Sequence, residues 1–377
     1  MSSLQFVNGS VVGIPGDGSA TLTVDRGVIV AESAAPSSEI IDLDGGYLLP
    51  GFIDTQVNGG GDILFNDAPT VETIDRIGSA HRQYGTTSFL PTLISDDLEK
   101  VDMAMRAVEQ AIDAGVRGVV GIHLEGPFLN DRRKGTHDAG KFRRLDDDAI
   151  ALLSSLRVGR TLVTLAPELC DNDQIARLAS AGVILAVGHS DASYERTLSA
   201  FAAGMTGVTH LYNAMSPLNH RAPGVVGATL ENDDVYVGIV VDGQHVSPSA
   251  LRIALRARPR DRFMLVTDAM PTVGSATKNF LLQGKPITVR NGVCVEENGT
   301  LAGSDLDMAT AVHNAMSMMG LSIAEASDMA TGAPARFLHL KDRGNMTPGQ
   351  RADFVWLDAG YRVRGVWQGG MRTFVSQ

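Results

Sequence analysis

The chain has 377 residues, 44% of them hydrophobic, enough apolar material for one large domain and a smaller companion. Its net charge is −11, and with no Lys/Arg-rich stripe this argues against nucleic acid as a partner. Two cysteines (Cys170 and Cys294), an opening MSSLQFVNGS without a signal-peptide pattern, and no run of ~18 apolar residues point to a cytoplasmic protein that neither spans nor anchors to a membrane.

Residues 1 to 48 alternate apolar and polar positions, as in Leu22–Val24, Val28–Val30 and Ile40–Leu43. Gly16-Asp17-Gly18, Asp25-Arg26-Gly27 and Asp44-Gly45-Gly46 lie between these runs and predict tight turns between short strands. The last stretch, residues 341–377, has the same texture in Arg351–Leu357, Tyr361–Trp367 and Met371–Val375. Neither end closes a core alone, so the two together are expected to form one small β-sandwich domain.

From residue 49 to 340 the period changes, with strand-like runs alternating with helix-like stretches. This is the pattern of βα units on a parallel sheet, and eight of them make a (β/α)8 TIM-type barrel. The eight strands are expected at Gly51–Gln56, Thr87–Leu93, Val119–Glu125, Leu162–Ala166, Ile184–Gly188, Gly207–Leu211, Val235–Val241 and Phe263–Thr267. Val71–Tyr84, Leu98–Ala114, Ala192–Ala203 and Ser249–Ala257 carry apolar residues at helical spacing, with Asp191 and Ser247-Pro248 as helix starts. Residues 277–300 break the rhythm and predict an inserted hairpin turning at Asn291-Gly292. Helical residues 305–338 then complete the barrel.

Several predicted strands end in residues able to carry chemistry. A catalytic zinc-type centre needs three protein ligands and an open position, with imidazole and carboxylate as usual donors. Glu125, His189 and His210 end the third, fifth and sixth strands on what is the catalytic face of such a barrel. His123 shares a strand face with Glu125 by the period of two, either as a fourth ligand or as a hydrogen-bonding support. Gln56 and Asn58 end the first strand. Amides are poor metal ligands, so their expected part is to orient water or outer groups, and the lack of a His-x-His there argues for a single metal. Asp268, ending the eighth strand, is the expected general base and acid, taking a proton from water and passing it to a leaving nitrogen.

Asn213, Ala214 and the loop presenting Arg221 combine an amide, a backbone N–H and a guanidinium, a set suited to phosphate. Arg132-Arg133-Lys134 reads as a solvated charge run that would add at most local positive potential. His137 and His245 lie in loops beyond the third and seventh strands. No Gly-x-Ser-x-Gly elbow or reactive-looking cysteine indicates a covalent nucleophile.

Taken in order, PGFIDTQVNGGGD, HLEGPFLN, KGTHD, VGHSDASY, VTHLYNAMSPLNHRAPG, VDGQHVSP, LVTDAM and LAGSDLDMA closely resemble the N-acetylglucosamine-6-phosphate deacetylase family of the amidohydrolase superfamily. The likeness runs from about residue 45 to the end and includes ARFLHLKDRGNMTPGQRADFVWLD. It implies one divalent metal on Glu125, His189 and His210, zinc first, with iron(II), cobalt or manganese also suited to that donor set. It implies Asp268 as acid–base residue and sugar-phosphate contacts from His137, Asn213, Ala214, Arg221, His245 and the loop Leu301-Ala302-Gly303. It further implies a homodimer in which Arg221 reaches the neighbouring active site. The expected reaction is hydrolysis of N-acetylglucosamine 6-phosphate to glucosamine 6-phosphate and acetate. The rivals are the same chemistry on N-acetylgalactosamine 6-phosphate or a cyclic amide, and a non-catalytic scaffold on the same frame.

Overall fold

A computed structural model describes residues 3–14, 21–31 and 39–376; the Gly16-Asp17-Gly18 turn lies outside them. Eight parallel strands follow one another in chain order around one sheet: Phe52–Val57, Thr86–Ile94, Gly121–Glu125, Arg160–Leu165, Ile184–Val187, Gly207–Val208, Tyr236–Ile239 and Phe263–Leu265. The eighth returns to the first through a parallel bridge between Val57 and Ala269 and a hydrogen bond from the Asp268 N–H to the Gln56 carbonyl. This is the expected barrel, with each strand within a few residues of its predicted place.

Strand alternation sorts the layers. In Gly121–Glu125, Ile122 and Leu124 pack into the large core beneath the surrounding helices, which leaves His123 and Glu125 for the interior. Ile53, Leu90, Leu162, Ile184 and Met264 fill the barrel with Phe337 and Leu338. Phe337 sets one glycine: a Cβ on Gly207 would lie 2.7 Å from its ring.

The helices Val71–Arg82, Leu98–Asp113 and Pro248–Ala257 match expectation, the last capped by Ser247 with Pro248 in its first turn. The helix expected to begin at Asp191 instead spans Tyr194–Ala202 with Ser193 as its cap. The Asp191 carboxylate is committed elsewhere, to Arg133. The insertion is larger than a hairpin. Asn279–Leu282, Lys285–Arg290, Val293–Val295 and Leu301–Ser304 form a four-stranded antiparallel sheet, turning at Asn291-Gly292, both of positive φ.

Both chain ends build the sandwich. One sheet is wholly N-terminal; the other pairs Tyr47–Pro50 with Phe354–Leu357 and continues through Val363–Gln368 to Met371–Val375. Between them lie Phe6, Leu22, Val24, Leu48, Phe354 and Trp367, with Phe6 edge-on to both the Phe354 and Trp367 rings. Among the described residues no helix is long and apolar enough to cross a membrane.

Barrel closure relies on a buried acid. Asp54 accepts hydrogen bonds from the Thr267 hydroxyl and the Gln56 N–H, tying the first strand to the end of the eighth. Burial pushes its carboxyl up to about 7. A raised carboxyl contributes stability below its unfolded value and loses it as pH rises through the folded one. Between about pH 4 and pH 7, wild type should lose on the order of 4 kcal/mol relative to Asp54→Asn, which cannot ionise. Denaturant melts of both proteins across that range check it; parallel curves would refute it.

Candidate metal centre and active-site cleft

The residues that end the barrel strands are held in unusual backbone. His189, His210 and Asp268 take φ of 47°, 31° and 51°, and Ala214 one of 49°. For residues with a Cβ this left-handed region is sparsely populated and concentrates at functional sites. Here it ends each strand sharply and turns the polar side chain over the barrel mouth. The cleft there encloses about 340 Å³, room for a small metabolite.

At its floor Glu125 Oε1 lies 3.1 Å from His189 Nε2 and 2.9 Å from His210 Nε2, and the two imidazole nitrogens are 3.2 Å apart. The donor atoms of all three residues fall within 4.8 Å of one another, and all three side chains are buried. His189 Nδ1 is 2.8 Å from the Arg133 carbonyl. A carbonyl only accepts, so Nδ1 carries the ring proton and the Nε2 lone pair faces the cluster. Electron-rich atoms facing one point repel unless positive charge lies among them. Protons can supply it: burial works to lower His210 and raise Glu125, yet their hydrogen bonds and mutual attraction win, holding His210 above and Glu125 below its ordinary range. A divalent cation fits the same point, since one carboxylate and two imidazoles are a usual catalytic donor set.

Asp268 lies beside this cluster. Asn58 and Gln56 both donate to its Oδ1, at 2.7 and 3.1 Å, and Gln56 also donates to Glu125 Oε2 at 3.2 Å. Burial, then the charge of Glu125, raises Asp268 to about 6. His123 sits deeper, with Nδ1 3.1 Å from the Thr92 hydroxyl and Nε2 2.8 Å from that of Thr164. Both nitrogens are engaged, so the fourth-ligand alternative has no free donor. Burial holds the ring down to about 4.

The His137 ring packs tilted against that of His189, with ring centroids 4.5 Å apart and planes at 58°. Its Nδ1 accepts from the Ser95 N–H at 3.4 Å and lies 2.9 Å from the Ser95 hydroxyl. Burial pushes it down to about 3. The ring is therefore neutral, with its proton on Nε2. His245 is fixed by Asp242 Oδ2, 2.6 Å from its Nδ1. Asn213, Ala214, His245, Leu301 and Gly303 all line the cleft.

Two predicted contacts do not reach it. Ala302 is fully buried in the core of the inserted sheet, because alternation turns it away from Leu301 and Gly303. Arg221 is exposed and lines a separate depression with Asp191 and Tyr194. Conversely, the run at 132–134 is not merely solvated. Arg132 and Arg133 line the cleft, and Arg133 pairs with Asp191 at 2.8 Å. Glu168 and Ser95 escaped the sequence reading altogether; a lone Glu in a loop and a Ser at a strand end carry no pattern.

Residues 47–375 match the amidohydrolase family. The chain is 46% identical to the N-acetylgalactosamine-6-phosphate deacetylase of Shewanella sp. (strain ANA-3), covering 89% of this chain and 85% of that one. It is 35% identical to the N-acetylglucosamine-6-phosphate deacetylase of Haemophilus influenzae, over 89% and 90% of the two chains. The crystal structure of N-acetylglucosamine-6-phosphate deacetylase from Pasteurella multocida superposes with a TM-score of 0.93 at 32% identity, covering 99% of this chain and all of that one. A barrel of this order, three converging donors beside a buried carboxylate, and these matches along nearly the whole length have one reading: the chain belongs to the amidohydrolase family, among its amino-sugar-phosphate deacetylases.

Proposed function

We propose that this protein hydrolyses the acetamide of N-acetylglucosamine 6-phosphate, giving glucosamine 6-phosphate and acetate. The observation that carries this is the meeting of Glu125, His189 and His210 with Asp268 in one cleft, in a chain so closely related to deacetylases of such sugars.

Glu125 Oε1, His189 Nε2 and His210 Nε2 would hold one divalent ion, with zinc the first choice and iron(II), cobalt and manganese suited to the same donors. When bound, such an ion supplies Lewis acidity and lowers the pKa of a water to ~7. Asp268 handles the protons. Asn58 and Gln56 fix its Oδ1, which leaves Oδ2 to take a proton from the attacking water and return it to the amide nitrogen. The amine then departs neutral rather than as an anion. His137, neutral and donating from Nε2, steadies the acetyl oxygen as negative charge gathers there. Arg132 and Arg133 bring positive potential to the cleft. Asn213, the Ala214 N–H and His245 supply polar contacts for the sugar phosphate.

Arg221 lies too far out on its own chain to join this set. Our reading is a homodimer in which it serves the neighbouring site, and the exposed Leu218 on the same loop supports a contact surface there. Two unpaired cysteines support a cytoplasmic setting.

The 46% identity to a deacetylase of the galacto epimer favours that sugar as a second reading. Acetate release from both epimeric 6-phosphates, compared as kcat/KM, tests the choice. A tenfold or greater preference for the gluco epimer is expected. The reverse preference transfers the assignment, and no release from either overturns it.

A further inference from the structure

His189 owes its tautomer to the Arg133 carbonyl, so whatever fixes that carbonyl also aims the ligand. The short 3-10 turn Asp131–Arg133 is tied to His189 twice. The Asn130 N–H donates to the His189 carbonyl at 3.0 Å, and His189 Nδ1–H donates to the Arg133 carbonyl at 2.8 Å. Neither contact sets the turn by itself. Glu168, just past the fourth barrel strand, accepts three hydrogen bonds: from the Asn130 side-chain amide at 2.8 Å, the Ser190 hydroxyl at 2.7 Å and the Asp191 N–H at 2.6 Å. These partners flank the turn on one side and follow His189 on the other. Asp191 completes the ring by holding the Arg133 guanidinium through Oδ1, at 2.9 Å to Nε and 2.8 Å to a terminal nitrogen. One carboxylate thus locks the loop to the strand end that carries His189, and a second locks the residue whose carbonyl accepts its Nδ1–H hydrogen bond.

We infer that Glu168, together with the Arg133–Asp191 pair, is a positioning clamp that holds the His189 Nε2 lone pair on the metal point. This rests on the metal centre proposed above. Neither carboxylate reaches that point, so both act through His189. Hydrogen-bond partners of a metal-bound histidine fix its ring and raise its basicity, and losing them typically costs on the order of 10–100-fold in metal affinity. Glu168→Gln keeps the shape and the Oε1 acceptor but puts an N–H where Oε2 accepts from the Ser190 hydroxyl, and it removes the carboxylate charge from the other two hydrogen bonds. Asp191→Asn weakens the hold on Arg133 while leaving its own backbone N–H in place.

The test is zinc affinity of the apo-protein, measured by competition with a chromophoric chelator, for wild type, Glu168→Gln and Asp191→Asn. The visible spectrum of each protein loaded with cobalt is read alongside. Weakening of ten-fold or more for Glu168→Gln, with a smaller loss for Asp191→Asn and altered cobalt bands, is expected. A general packing defect would lower the thermal midpoint of the apo-protein without changing the cobalt bands, and that result overturns the clamp. So does zinc binding within two-fold of wild type in both variants. A wild type that binds no zinc overturns the metal centre itself, and with it this inference.

Discussion

Asp268→Asn should retain zinc yet lose between about 10² and 10⁴ of wild-type kcat, the range that a general acid–base group contributes. The substitution keeps the acceptor to which Asn58 and Gln56 donate, so the cleft should keep its shape. What goes is the ability to take a proton from water and deliver it to nitrogen. KM should move little, because the loss falls on a group used in the transition state. The pH profile gives an independent reading. Burial and the Glu125 charge raise Asp268 to about 6, and a bound cation pulls that value down. The base works only when ionised, so the acid limb of wild-type kcat/KM should fall at or below about pH 6. The variant should lack that limb. Turnover above a tenth of wild type would remove Asp268 from the proposed role.

Glu125→Gln should be at least as damaging, by a different route. Its Oε1 is the one anionic donor among the three and the atom both imidazoles approach. An amide there brings no charge to offset that of a divalent ion. Metal content should fall from near one per chain to a small fraction. With it should go the several kcal/mol of transition-state charge stabilisation that a catalytic metal supplies, at least about 10³-fold in kcat/KM. Partial recovery in millimolar zinc would mark the defect as one of affinity. Near-stoichiometric metal with full activity would refute the assignment of Glu125 as a ligand.

Much of this molecule could be read before its structure was seen, because period and polarity coincide. Each barrel strand is a short apolar run. A Glu, His or Asp at one strand end suits an ordinary buried role, but such ends at equivalent places on several strands point together to one site. Pairings that depend on three dimensions were hidden. Asp54 looks like any polar residue in a strand until Thr267 is found beside it, 213 positions later. Glu168 gains meaning only when Asn130 and Ser190 fold onto it. The helix start missed at Asp191 has a similar cause: a side chain fit to cap a helix was taken by an arginine from another loop. The Leu301-Ala302-Gly303 motif points to the cleft as a unit, yet strand alternation turns Ala302 inward.

The sandwich has a consequence for how the molecule is made. Tyr47–Pro50 pairs with Phe354–Leu357, so this strand must wait for a partner synthesised much later than itself. At ~5–20 residues per second, roughly 300 intervening residues leave the nascent strands waiting on the order of 15–60 s. During that interval Leu48 and Phe6 lack the cover that Phe354 and Trp367 will give them. The barrel is therefore the part able to settle first, and the sandwich closes only when Phe354–Leu357 reaches Tyr47–Pro50.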